Sequence, residues 1–316
     1  MKLLVTGGAG FIGSNFVRST LRTRPQVEIV VFDKFTYAAS PENLTGVTDQ
    51  IQVIRGDISD KDAVEDAVSK ADTVLNFAAE THNDNSLSSP KVFIDSNVNG
   101  TFTLLEAVRK FSKRLHHVST DEVFGDLPLD SELEFDLQSP YNPSSPYSAS
   151  KAAADHLVRA WVRSFDINAT ISNCSNNFGP YQHVEKLIPR MISLATQGQR
   201  PKLYGDGRNI RDWINVEDHI EGIWAVIEKG KVGQTYLFGG RERLSNLEVC
   251  RMVLEEVGLP LDFIEFVPDR PGHDLRYALN WSTSKEDLGW SPTAPGVRES
   301  MAELVRFYSS EIEPDI

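Results

Sequence analysis

Cysteine is nearly missing from this chain: Cys174 and Cys250 are the two among 316 residues. They lie far apart and without metal-ligand spacing, which excludes a disulfide framework and a zinc site and fits two reduced thiols in a cytosolic protein. No apolar run approaches the roughly 18 residues needed to cross a bilayer. The opening segment MKLLVTGGAGFIG is broken by glycines after a few apolar residues, so it reads as a buried strand and turn rather than a signal peptide. Basic charge is in short supply: 32 Lys and Arg stand against 45 Asp and Glu, a formal net charge of −13. That balance discourages nonspecific contact with nucleic acid or an anionic membrane. It leaves room for an anionic ligand, because a diphosphate needs only a few local donors. Low-complexity tracts and internal repeats are absent too. With 40% hydrophobic and 24% charged residues, the chain supports one large α/β body or a large domain with a smaller partner.

What is present is alternation. LLVTG (3–7), VEIVVFD (27–33), IQVIRGD (51–57), TVLNFAA (73–79), LHHVST (115–120) and NATISNCS (168–175) read as strands. Between them, segments 11–22, 60–70, 90–112 and 146–165 have helical periodicity. Strands that are apolar almost throughout, each followed by a helix, predict a doubly wound, Rossmann-type parallel sheet covered on both faces. After residue 176 the segments shorten and fill with Gly, Pro, Asn and Arg, as in NNFGPYQHVEKLIPR and DRPGHDLRYALN. We therefore expect a dinucleotide-binding domain over 1–175. Residues 176–316 should form mainly a smaller substrate-binding region, with some segments returning to the main sheet.

Directly after the first strand, GGAGFIG (7–13) sets Gly7, Gly10 and Gly13 three residues apart at the start of a helix. Gly7 permits the tight turn, Gly10 lets a pyrophosphate approach the backbone, and Gly13 allows close helix–sheet packing. About 20 residues on, Asp33 closes the second strand, placed to accept from the ribose hydroxyls and to repel a 2′-phosphate. NAD is therefore favoured over NADP, although Lys34, the next residue, is a cation that could tolerate the phosphate.

YSASK (147–151) opens a helix, and the four-residue spacing puts Tyr147 and Lys151 on one face. An ammonium beside a phenol is expected to lower the phenol's pKa and make a phenolate available near neutral pH. Thr120-Asp121-Glu122 ends the fifth strand, on the side of a parallel sheet where ligands bind. The triplet could cap a helix or begin a turn. It could equally hold two carboxyl groups in different protonation states.

Together the glycine turn and the Tyr–Lys pair resemble the extended short-chain dehydrogenase/reductase superfamily. STDEVFG (119–125), YSASK, NNFGPYQHVEKLIPR (176–190), YGDGRNIRDW (204–213) and DRPGHDLRYA (269–278) resemble its dTDP-glucose 4,6-dehydratase family. The resemblance covers essentially the whole chain. It implies an NAD-dependent enzyme acting on dTDP-glucose, with no metal. Tyr147, helped by Lys151 and Thr120, would deprotonate the sugar 4-hydroxyl during hydride transfer. Glu122 would take the C5 proton, and Asp121, held protonated, would give its proton to the departing C6 hydroxyl.

The same resemblance assigns the binding groups. The amides of Phe11 and Ile12 would face the pyrophosphate, Asp57 and Ile58 the adenine, and Phe77, Ala78, Ala79, Thr81, Ser96 and Asn97 the ribose and nicotinamide. Lys34, Phe35, Thr36 and Asn177 complete the expected cofactor contacts. For the nucleotide-sugar it implies Thr81, Thr120, Asn176, Lys186, Leu187, Lys202 and Tyr204, then Arg211, Asn246, Arg270 and His273. Many relatives read His-Val-Asp-Arg-Ser where this chain has His82-Asn83-Asp84-Asn85-Ser86, which puts a local charge contact in doubt. The helices near 90–112 and 146–165 resemble those that pair in family dimers. A UDP-sugar 4-epimerase has no need of the Asp121–Glu122 pair. A non-catalytic cofactor sensor would be expected to lose Tyr147 or Lys151.

Overall fold

The computed structural model describes residues 1–310. In chain order its first half runs β1 (Lys2–Thr6), α1 (Phe11–Thr23), β2 (Glu28–Asp33), β3 (Gln52–Arg55), α2 (Lys61–Ser69) and β4 (Thr73–Asn76). Then come α3 (Asn83–Ser88), α4 (Pro90–Phe93), α5 (Thr101–Phe111), β5 (Arg114–Thr120), α6 (Pro146–Phe165) and β6 (Asn168–Cys174). The second half has β7 (Asn176–Phe178), α7 (Leu187–Thr196), β8 (Lys202–Tyr204), β9 (Ile210–Asn215), α8 (Val216–Lys229) and β10 (Thr235–Phe238). It closes with β11 (Glu242–Ser245), α9 (Asn246–Val257), β12 (Glu265–Val267), α10 (Ser282–Leu288) and α11 (Val297–Ser310).

Seven strands form one parallel sheet in the order β10-β6-β5-β4-β1-β2-β3. The order reverses between β1 and β4, and that is where such sheets open a crevice beyond the carboxyl ends of the strands. One face is sealed by apolar residues of α2, α5 and α6, including Val64, Leu104, Leu105 and Val158. The other is sealed by α1 and α8 through Phe16, Val17, Ile220 and Trp224. Strands buried on both faces have no need of polar alternation, hence the unbroken apolar runs.

The segment read as one helix over 90–112 is instead α4, a π-helical turn over Ile94–Gly100, and α5. A widened turn is often found at functional sites, and this one contains Ser96 and Asn97. Beyond the sheet, β7, β9 and β11 make a three-stranded sheet and β8 pairs with β12. The helices α7, α9 and α11 enclose a second core around Ile188, Ile192, Val253 and Met301. β10 returns to the main sheet beside β6, and α8 packs against α1. Among the described residues no helix is long and apolar enough to cross a membrane.

Candidate active site

The turn after β1 is drawn tight by its own chemistry. Gly7 has φ +69°, and a Cβ there would lie 2.6 Å from the Ala78 nitrogen. Its N–H donates to Phe32 O at 3.0 Å, and Gly10 N–H donates back to Gly7 O at 3.1 Å. At Gly13 a Cβ would stand 2.2 Å from Gly7 O, so only glycine lets α1 approach this closely. Gly10 differs: a Cβ there meets only Gly7 O, at 3.3 Å, and otherwise faces open space. The N-terminal amides of the helix, with no intrahelical partner, make this turn a setting that suits an anionic diphosphate.

Asp33 accepts from Ala9 N at 2.9 Å and Phe35 N at 2.8 Å. Burial raises its carboxyl pKa while these N–H donors oppose the rise. Lys34 makes an ion pair with Asp57 at 2.7 Å, so its charge is already answered and is a weaker lure for a 2′-phosphate. Ile58 packs against Gly100, where a Cβ would come within 2.5 Å of it. Asn97 accepts from Glu80 N at 2.8 Å and donates to Glu80 O and Ser150 Oγ at 3.0 and 2.9 Å. Asn177 accepts from His219 Nδ1 at 2.9 Å and donates to Ser175 O at 2.9 Å. The amides of Asn97 and Asn177 are therefore engaged within the protein, holding loops in place.

At the end of β5, Thr120 caps a short 3-10 turn over Asp121–Phe124, its Oγ1 accepting from Glu122 N at 3.3 Å. The capping reading is thus seen at Thr120, and it is compatible with the catalytic one. Asp121 is buried, Thr120 Oγ1 donates to its Oδ1 at 3.3 Å, and its Oδ2 has no protein partner. Its pKa is pushed well above the ordinary value by desolvation, then by the charges of Glu122 and Asp212. Glu122 is also raised by desolvation, against a hydrogen bond from Asn83 Nδ2 at 2.8 Å.

Ser145 starts α6 with a reciprocal cap to Ser148, and Pro146 occupies the first turn, where a missing N–H costs nothing. Tyr147 is buried beside this cap and close enough to Glu122 and Thr120 for each to act on it. One expectation requires correction. The phenol is not lowered by Lys151 but raised well above its ordinary value, by desolvation first and then by Glu122, with a hydrogen bond involving Thr120 opposing. Lys151 donates instead to Val118 O at 2.8 Å. The helical spacing was right, but the burial that brings the pair together also penalises charge on the phenol.

The second half supplies a wall to the same cleft. Lys186 donates to Thr81 O at 2.8 Å. Tyr204 donates to Asp84 at 3.0 Å, Arg270 pairs with Asp84 at 3.3 Å, and Tyr204 meets the His273 ring edge-on. His273 contacts Asp269 at 2.6 Å. Arg211 is buried, donates to Ile210 O and Asp274 O, and stacks over Tyr277. Asn176 keeps a buried Oδ1 with no protein partner. Leu187 packs on the second core and Asn246 begins α9, while Lys202 faces Glu265 at 3.9 Å across the small sheet. Sequence reasoning assigned no role to Asp84, Ser145 or Asp155. Asp155, one helical turn beyond Lys151, was the most visible of the three.

This sheet, glycine turn and Tyr–Lys helix define the extended short-chain dehydrogenase/reductase class. A family model described as GDP-mannose 4,6-dehydratase matches residues 4–304. A dTDP-glucose 4,6-dehydratase of Mycolicibacterium smegmatis is 54% identical over 308 residues, covering 98% of this chain and 93% of that one. One from Streptomyces niveus is 43% identical over 315 residues, with the same coverage of 98% and 93%. Among solved structures, DesIV, a dTDP-glucose 4,6-dehydratase of Streptomyces venezuelae with NAD bound, superposes with a TM-score of 0.94 at 40% identity, covering 98% of this chain and 97% of DesIV. The chain belongs to the nucleotide-sugar 4,6-dehydratase family that this model describes, among the dTDP-glucose 4,6-dehydratases.

Proposed function

We propose that this chain converts dTDP-glucose to dTDP-4-keto-6-deoxy-glucose and water with NAD held at the glycine turn. The observation that carries the reading is the adjacent pair Asp121 and Glu122, set beside Tyr147 at the mouth of a dinucleotide crevice. The amides after Gly10, the Asp33 carboxylate and the Phe77–Thr81 stretch hold the cofactor. When bound there, NAD would supply the hydride-accepting and hydride-donating chemistry that C4 and C6 require. Tyr147 takes the proton of the 4-hydroxyl, with the Thr120 hydrogen bond favouring the phenolate and the Lys151 ammonium held at Val118 O one helical turn away. Glu122 then removes the proton from C5, which the 4-ketone acidifies. The C5–H electrons form the C5–C6 double bond as the C6–O bond breaks, and Asp121 protonates the leaving oxygen; once C6 has regained hydride, the enolate takes a proton back at C5 from Glu122. A poor leaving group needs an acid and an α-proton needs a base, and the two carboxyl groups divide those tasks.

Lys186, Arg211 and Arg270 give local positive charge for the diphosphate despite the net −13. The sugar-nucleotide region comprises mainly residues 176–316, of which 311–316 lie outside the described residues, and the dinucleotide domain comprises residues 1–175 together with α8 and β10. Exposed Val92, Ile94, Phe102 and Phe165 line the outer faces of the α4–α5 segment and α6, which suits a homodimer packed through these helices. Two buried, unpaired cysteines suit the cytoplasm, and the acidic surface gives nucleic acid no hold.

Incubation with dTDP-glucose should give a product lighter by one water. A deuterium placed at C4 should reappear at C6. Turnover of UDP- or CDP-glucose in place of dTDP-glucose would reassign the base, and a 4-epimer as product would overturn the dehydration.

A further inference from the structure

We infer that Asn83 is a positioning residue for the base: it orients the Glu122 carboxylate from a fixed bridge to Ser145, the cap of the helix that carries Tyr147. The inference rests on the function proposed above. Asn83 Nδ2 donates to Glu122 Oε2 at 2.8 Å, and Asn83 Oδ1 accepts from Ser145 Oγ at 2.8 Å. Ser145 Oγ also accepts from Ser148 N at 3.1 Å. A hydroxyl has one hydrogen; given to Asn83 Oδ1, it leaves the lone pairs for the helix cap. The amide is thereby fixed with its NH2 group toward the carboxylate. Its backbone is held as well, since Ser86 Oγ donates to Asn83 O at 2.7 Å.

Among the described residues, Asn83 is the one side chain hydrogen-bonded to this carboxylate. The other groups facing Glu122 act at longer range. They are Asp121 on its own turn, Tyr147 from α6, Lys186 ahead of α7, Arg211 from β9, and Asp274 and Tyr277 from the segment after β12. Lys186 and Arg211 spend hydrogen bonds on backbone carbonyls. Desolvation and Asp274 favour the neutral acid at Glu122, and the Asn83 bond is the first influence opposing them. The bond occupies Oε2 and leaves Oε1 to take the C5 proton. It also separates two neighbouring carboxyl groups that must differ in protonation. The unpartnered Oδ2 of Asp121 favours its acid form, while the amide donor at Glu122 favours its carboxylate.

The test uses Asn83→Leu, which keeps the bulk and removes the donor. Two readouts are followed: the acidic limb of kcat/KM against pH, and a carbon-13 NMR titration of the Glu122 carboxyl, assigned through Glu122→Gln. A lost hydrogen bond to a charged group should move both upward by about one pH unit, with KM little changed. Ser145→Gly keeps a tolerable helix cap but frees the amide. It should move both in the same direction by less, and it carries the test if Asn83→Leu does not fold. Folded variants whose limb and titration stay at the wild-type positions would overturn the inference. A wild-type enzyme that fails to dehydrate dTDP-glucose would sink the proposed function instead, and the NMR titration would still decide the role of Asn83.

Discussion

Lys151 donates from Nζ to the Val118 carbonyl at 2.8 Å, which ties the ammonium to β5 two residues ahead of Thr120. One helical turn further, buried Asp155 accepts from Ser119 Oγ, Tyr141 OH and Asn173 Nδ2 at 2.9, 2.8 and 3.1 Å, and lies 3.4 Å from His117 Nε2. Desolvation lowers the Lys151 pKa and Asp155 opposes that. Asp155 therefore favours the charged form of the lysine from behind.

Asp155→Asn should accordingly move the alkaline limb of kcat to lower pH. Lysine serves in its protonated form, activity is lost above its pKa, and removing the carboxylate lowers that pKa further. Turnover near neutral pH should fall by roughly tenfold or more, and stability by roughly 3 kcal/mol, because the buried network loses its charged member. Rates measured from pH 6 to 10, with a urea melt alongside, check both effects. An unmoved alkaline limb would remove Asp155 from any account of Lys151.

Asp121→Asn separates oxidation from dehydration. Asparagine keeps the shape of the side chain but has no proton to give the leaving hydroxyl. Hydride transfer from C4 should survive, so reduced cofactor should persist in a single turnover, while water loss slows roughly 10²- to 10⁴-fold. Stopped-flow absorbance of the reduced nicotinamide, with product analysis, reports the two steps separately. Wild-type product formation by this variant would reassign the acid.

The second and third glycines of the motif, Gly10 and Gly13, should behave differently. Gly10 has φ −77°, a conformation that alanine adopts freely, and its Cβ would meet only Gly7 O at 3.3 Å. Gly10→Ala should fold with a stability loss of about 1 kcal/mol or less and release NAD, because the added methyl fills space the diphosphate needs. Gly13→Ala would place a Cβ 2.2 Å from Gly7 O. Overpacking of that kind costs roughly 1–3 kcal/mol, so this variant should lose thermal stability as well as cofactor. Melting curves and the NAD content of each purified variant distinguish the two.

The central fold was legible because strands buried on both faces must be apolar almost throughout, as in EIVVFD of β2, and because glycine is required at Gly13, where the start of α1 meets the turn after β1. The segment 90–112 was less legible: a π-helical turn keeps helical periodicity on either side and hides the extra residue. The candidate catalytic cluster could be read from Thr120-Asp121-Glu122 and Tyr147-x-x-x-Lys151, which are local patterns. Their protonation could not, since desolvation is set by distant elements. Asn83 meets Glu122 across 39 residues of sequence, and no local spacing announces such a bond.

Buried histidines set one more measurable property, the stability in acid. His219 on α8 is fully buried, and desolvation lowers its pKa to about 3. The Asn177 amide donates through Nδ2 to Ser175 O and so presents its oxygen to His219 Nδ1, which acts as the donor. The imidazole is thus neutral in the folded protein, whereas in the unfolded chain it protonates near its ordinary value of about 6.5. A folded pKa below the unfolded one contributes stability that is present above pH 6.5 and lost as pH falls toward 3. Within that window the unfolded state holds one more proton, a slope of about 1.4 kcal/mol per pH unit from this residue. His219→Gln retains a donor for Asn177 but does not titrate. Its stability, measured by urea unfolding between pH 4 and 6, should depend on pH less steeply than wild type by about that amount. Parallel curves for the two proteins would mean that His219 takes up its proton without unfolding.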